Sequence, residues 1–228
     1  MESPRTRRRA VFESKVYTLS LCEELVVLLN SRSEFKYSCN RVSLCLRACV
    51  LAELDINGCI YLSNGLVASN TAQIDNKLLN MVHQRIYRTN YTPVELLLAL
   101  NGEMKGCDIF IKKLRKHVYT TLEEKKIIKC EKSRVVFNKI KITNFSTFNE
   151  LIDNLVGYLV SDSGYVDVRY DFLVVCLYYC KGVEKILVNL TENKAKLVDR
   201  RIERTIDRYK NKDNTIIEII ARYLINLV

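Results

Sequence analysis

Apolar residues recur every three or four positions along most of the chain, the spacing that lays one stripe along a helix. The first stripe is Leu21, Leu25, Leu28 and Leu29, and Ser20 with Glu23 ahead of it fits a capping box. A second helix is predicted over about 42–54, stopping near the turn signal Asn57-Gly58. Asn64-Gly65 between 59–62 and 66–68 predicts a short hairpin. Thr92-Pro93-Val94-Glu95 combines a cap, a first-turn proline and a glutamate three residues after the cap, and Asn101-Gly102 closes the helix it opens. The pattern then predicts a helix over about 108–126, a hairpin over 127–142, and a helix opened by Thr147 and Glu150 that carries Leu151, Leu155 and Leu159. Helical spacing continues through Leu227. The expected fold is mainly α: one globular helical domain over 16–228, with one or two short β-hairpins, one of them apolar-tipped. A flexible arm, 1–15, precedes it, because Pro4 and Arg5, Arg7, Arg8 and Arg9 sit in a stretch with no apolar periodicity.

Composition agrees. Only 7 Gly and 2 Pro in 228 residues disfavour a turn-rich β architecture. The 36 Lys and Arg against 26 Asp and Glu leave a net charge of +10, which points to an anionic partner. The 9 cysteines lie where apolar residues would, without a CxxC pair, so reduced thiols packed in a core are expected rather than a disulfide framework. The longest apolar run, 172–180, is about half the ~20 residues that a membrane span needs. With no apolar leader at the basic N-terminus, a soluble cytosolic protein is expected.

Signals for catalysis are poor. GxSxG, P-loop, GxGxxG and HExxH patterns are all absent. His83 and His117 lack neighbours at ligand spacing, so each reads as a surface or packed residue. Cys45/Cys49 and Cys176/Cys180, each one helical turn apart, read as core. No enzyme activity, cofactor or metal is expected.

Basic residues carry the stronger signal. On a helix over 108–126, Ile111, Leu114, Val118 and Leu122 form the buried stripe, while Lys112, Arg115, Lys116 and Tyr119 share another face. No acid interrupts 110–119, and cations at this spacing can converge on one phosphate. Val135, Val136 and Phe137 lie between Lys132, Arg134, Lys139 and Lys141. That arrangement suits a loop dipping into lipid headgroups. It equally suits a winged-helix-like nucleic-acid binder using the 110–119 helix and the 127–142 hairpin, or a tip that closes the core. The arginine arm alone also reads as a nuclear-localisation or nucleic-acid tail.

Several ordered segments resemble the Golgi phosphoprotein 3 family and its fungal vacuolar-sorting counterpart. LSLCEELVVLLNSR and LRACVLAELDINGCIYL are similar to the family's "LTLxEEVLLL" and "LRGCxLxELxLxGRL". LLALNGE resembles "ELLSGE", and IKKLRKHVYTTLEEKKII resembles "LRxVRERLxxxLVEKGVL". The arm ahead of the first helix matches the fungal members. The likeness covers about 5–137, and the last third matches in helical pattern.

The resemblance implies a largely helical, non-enzymatic adaptor, peripheral on the cytoplasmic face of Golgi membranes and exchanging with cytosol. It would bind phosphatidylinositol 4-phosphate and retain glycosyltransferases by linking their cytosolic tails to coatomer vesicles, with no nucleic acid as partner; self-association is compatible with it. Residue by residue, the family's headgroup arginine falls on Arg47 and its later basic pair on Lys112 and Arg115. The membrane-inserting tip falls on Val135, Val136 and Phe137, and coat-binding arginines fall among Arg5, Arg7, Arg8 and Arg9. The family's pocket tryptophan falls on Ser38, in a chain with no Trp; Tyr37 and Phe35 are the nearby rings. Losing an interfacial ring is expected to weaken docking and relax selectivity among phosphoinositides. The competing reading of Arg47 is an ion pair with Glu53 or another acid at the core edge.

Overall fold

The computed structural model describes residues 18–30, 39–131, 139–161, 166–187 and 190–228. The arginine arm, Phe35, Tyr37, Ser38 and the tip residues Val135, Val136 and Phe137 therefore lie outside the described residues. The chain is mainly α with two antiparallel hairpins, in the order α1 (Leu21–Leu29), α2 (Cys39–Ile56), β1 (Ile60–Ser63), β2 (Leu66–Ser69), α3 (Lys77–Ile86), α4 (Pro93–Asn101) and α5 (Leu114–Glu124). There follow β3 (Ile128–Glu131), β4 (Lys139–Ile142), α6 (Phe145–Val160), α7 (Val168–Tyr179), α8 (Glu184–Leu187), α9 (Glu192–Lys210) and α10 (Ile216–Asn226). Buried apolar residues from α1 through α10 form one continuous cluster.

Local signals start α1 and α4, end α4 and turn the first hairpin where the sequence puts them. The Ser20 N–H donates to Glu23 Oε2 at 2.8 Å, and the Thr92 N–H to Glu95 Oε2 at 2.9 Å; both caps are reciprocal boxes. Asn64 and Gly65 both take positive φ (50° and 77°), as a two-residue hairpin turn with right-handed strand twist requires. Gly102, in the left-handed region at φ 81°, returns its N–H to α4.

Two boundaries differ from expectation. Asn144, not Thr147, caps α6, since its side chain accepts from the Thr147 N–H at 3.1 Å. The helix expected over 108–126 starts only at Leu114, so 110–113 are not helical. Lys113 sits at φ 59°, outside right-handed helix geometry, and Phe110 packs on Gly102, where a Cβ would come within 2.9 Å of its ring. The 108–113 segment is thus committed to covering the end of α4.

At the centre, α1 is buried at all nine positions, including Glu23 and Glu24. It packs with α2 and α7, and α10 closes over α2, α4 and α7. Such burial of charge requires partners. Arg169, at the start of α7, lies 3.2 Å from both Glu24 Oε1 and Glu53 Oε1 and donates to the Leu19 carbonyl at 2.7 Å. Glu53 Oε2 also accepts from the Leu21 N–H at 3.0 Å, so one cation ties α1, α2 and α7 together. On the other side of α7, the buried Asp171 accepts from Tyr158, Thr205 and Arg208 and so joins α6 and α9. The eight cysteines whose side chains are described are free, and Cys22, Cys45, Cys49, Cys176 and Cys180 are packed as core residues. No helix among the described residues is long and apolar enough to cross a membrane.

Candidate functional site

Arg47 lies midway along α2, on the side facing the ends of α4 and the 108–113 turn. Its Nε donates to the Leu100 carbonyl at 2.6 Å, at the end of α4, where a cation also meets the negative end of the helix dipole. Nη2 donates to the Ile111 carbonyl at 2.7 Å, and Nη1 to the Ser43 carbonyl and hydroxyl at 2.9 and 2.7 Å. Four of five N–H groups are engaged, one Nη2 proton remains, and the residue is only 4% exposed. The guanidinium also stands over the Phe110 ring, 5.7 Å from its centroid.

Arg47 thus fastens the turn before α5 to the end of α4. Burial pulls its pKa down to about 10, and the nearby Arg115 charge pulls the same way, yet it stays protonated at neutral pH. The compensating acid is distant: Ser43 Oγ donates to Asn101, and Asn101 in turn to Glu103. The competing pairing with Glu53 is not made, because Glu53 belongs to Arg169.

Lys112 follows Ile111 directly, so its exposed ammonium rises from the turn that Arg47 pins. Arg115, half-buried, belongs to the first turn of α5. The structure brings Arg47, Lys112 and Arg115 to one end of the fold. It does so through a turn, not along the single helix face that the spacing suggested. Lys116 and His117 are exposed one turn further on. An open cleft of about 450 Å³ adjoins this turn, lined by Arg85 and Met81 of α3 together with Phe110, Lys112 and His117. Arg85 escaped sequence reasoning, since nothing in α3's own pattern marks its nearness to residues 25 positions later.

The remaining chemistry is structural. His83 is buried with Nε2 3.3 Å from the Cys59 carbonyl. Among the described residues no three His, Cys, Asp or Glu side chains are grouped to hold a metal ion. The hairpin that carries the expected tip is formed, with Ile128 opposite Ile142 and Glu131 opposite Lys139.

No curated protein matches the sequence. A family model, described as Golgi phosphoprotein 3 (GPP34), matches residues 21–217, from the first residue of α1 into α10, and so takes in the whole basic site. Extending over most of the chain, that match shows that the protein belongs to the Golgi phosphoprotein 3 family.

Proposed function

We propose that this protein is a peripheral adaptor of Golgi membranes that recognises phosphatidylinositol 4-phosphate and couples glycosyltransferase tails to coatomer, without enzymatic activity of its own. The observation that carries the reading is the Arg47 clasp: a buried guanidinium holding the turn of Lys112 against α4, with Arg115 close enough to depress its pKa. A phosphomonoester suits such a place, because the backbone turn is already held and only the cationic side chains remain to be ordered when they engage it. In this reading Lys112 and Arg115 contact the headgroup, Arg47 sets the turn and offers its remaining proton, and Ser38 and Tyr37 contribute to headgroup recognition. Val135, Val136 and Phe137 enter the bilayer beside the 128–142 hairpin, and surrounding cations add about 1 kcal/mol each near an anionic surface. Arg5, Arg7, Arg8 and Arg9 hold the coat from the cytoplasmic face, and the protein exchanges with cytosol. Weak contacts with lipid, tail and coat reinforce one another through effective concentration, so none need be tight alone.

Liposome co-sedimentation with and without phosphatidylinositol 4-phosphate, at physiological and raised salt, tests this. Binding that requires the lipid and persists in part at raised salt is expected, and Lys112→Ala with Arg115→Ala abolishes it. Equal binding to any anionic liposome, lost as salt rises, overturns the headgroup reading in favour of plain charge attraction. Unchanged binding by the double variant removes Lys112 and Arg115 from the site.

A further inference from the structure

We infer that the cleft between α3 and the 108–113 turn is the phosphate seat of this site, and that Arg85 of α3 and His117 of α5 complete it with Lys112. The inference rests on the headgroup reading above and changes which residues carry it. Arg47 spends four N–H groups on protein acceptors and is 4% exposed, so little of it can reach a ligand. Arg85 has the opposite disposition. It is exposed, one Nη1 bond to the Phe110 carbonyl at 3.3 Å fixes its direction, and the rest of its fork makes no hydrogen bond or ion pair among the described residues.

Lys112 and His117 line the same cleft, and neither side chain has a hydrogen-bonding or ionic partner among the described residues. Asp108 lines it too without forming an ion pair with any of the three. Three donors from three separate elements therefore converge on one open volume, and its single lining acid, Asp108, pairs with none of them among the described residues. Solvated surface cations on one helix do not require such convergence; a dianionic phosphomonoester explains it, being able to accept from a fork, an ammonium and an imidazole at once. The backbone supports the geometry, because the Phe110 carbonyl that orients Arg85 and the Ile111 carbonyl that Arg47 holds are adjacent. A phosphate ester can come from a lipid headgroup or from a soluble inositol phosphate, and the test separates the two.

The experiment measures binding of wild type, Arg85→Gln, His117→Gln and Lys77→Gln to two kinds of phosphatidylcholine vesicle. One contains phosphatidylinositol 4-phosphate; the other contains phosphatidylserine at equal total charge. Soluble inositol 1,4-bisphosphate is titrated in parallel. Lys77 is an exposed cation at the start of α3, about two turns before Arg85 and outside the cleft lining, and controls for lost charge. Arg85→Gln is expected to weaken phosphatidylinositol 4-phosphate binding about tenfold, the loss of one charge-assisted contact. His117→Gln should weaken it severalfold, and Lys77→Gln no more than it does on phosphatidylserine. Arg85→Lys, which keeps charge but not the fork, should recover part of the loss. Equal effects of Arg85→Gln and Lys77→Gln on both vesicles overturn the inference and leave the headgroup reading standing. Wild type that binds neither phosphatidylinositol 4-phosphate vesicles nor the soluble ester overturns both. Binding of the soluble ester alone, sensitive to Arg85→Gln, keeps the cleft and overturns the membrane reading.

Discussion

Arg47→Gln separates a strut from a ligand. The change removes a buried guanidinium whose four hydrogen bonds are 2.6–2.9 Å long. Not all of their acceptors are left bare. The Ser43 carbonyl lies four residues ahead within α2 and keeps its helical donor. The Leu100 carbonyl still receives the Ile111 N–H, at a long 3.3 Å, whereas the Ile111 carbonyl loses its charged donor outright. Hydrogen bonds to charged groups contribute about 1.5–3 kcal/mol each, and an orphaned buried acceptor costs about 1–3 kcal/mol. Against this, the variant no longer buries a charge. The balance is a loss of about 2–4 kcal/mol, or roughly 4–16 °C in Tm for a chain of this size. Urea unfolding with an unchanged m-value, alongside a thermal melt, reads it directly. Arg47→Lys should recover little, because an ammonium cannot reach both the Leu100 and Ile111 carbonyls as the fork does. Lys112→Ala, at an exposed side chain without a partner among the described residues, should stay within about 0.5 kcal/mol of wild type. An Arg47→Gln variant that melts with wild type yet loses phosphoinositide binding would refute the strut and restore Arg47 as a direct ligand.

Two further perturbations probe the same framework. Gly102→Ala places a Cβ in the left-handed region and against the Phe110 ring, whereas Gly58→Ala at φ 66° meets nothing within 4 Å. Both pay backbone strain of about 1 kcal/mol, so the larger loss in Gly102→Ala, with weaker phosphoinositide binding through the displaced turn, measures the Phe110 contact; equal losses would show that the contact is immaterial. Burial pushes the Glu24 carboxyl up to about 7 despite Arg169, and its Oε2 has no hydrogen-bond partner among the described residues. The folded chain therefore binds this proton before the unfolded chain does, so stability falls as pH rises from about 5 through 7. Glu24→Gln should flatten that fall, leaving a residual slope from Asp55, which burial raises to about 6; parallel melting curves for the two proteins across pH 5–8 would refute the assignment.

Much of the framework was legible because its determinants are local. A capping box spans three residues, and Ser20–Glu23 and Thr92–Glu95 form where they were expected. Asn64-Gly65 specifies its turn through two backbone angles. The packing of cysteines as core residues follows from their apolar neighbours. The start of α5 was not legible: burial of Ile111 is compatible with a helical stripe and with a turn packed on α4. Contacts between residues distant in the chain, Phe110 on Gly102 and Arg47 on the Ile111 carbonyl, decide for the turn.

The sequence by itself determined the mainly helical class, the caps at Ser20 and Thr92, both hairpins and the basic character of 110–119, because periodicity and short-range hydrogen bonding act within a few residues. Tertiary structure alone decided the partners of the charges. Arg47 and Arg169 are both buried arginines, yet Arg169 took the carboxylates Glu24 and Glu53 while Arg47 took carbonyls 53 and 64 residues away. Arg85 likewise joined Lys112 only when α3 packed near the turn. Pairing between charges far apart in the chain depends on their separation in space and, unlike the i,i+4 pair of Glu192 with Lys196, follows no helical period, so it becomes readable only once the fold has brought those residues together.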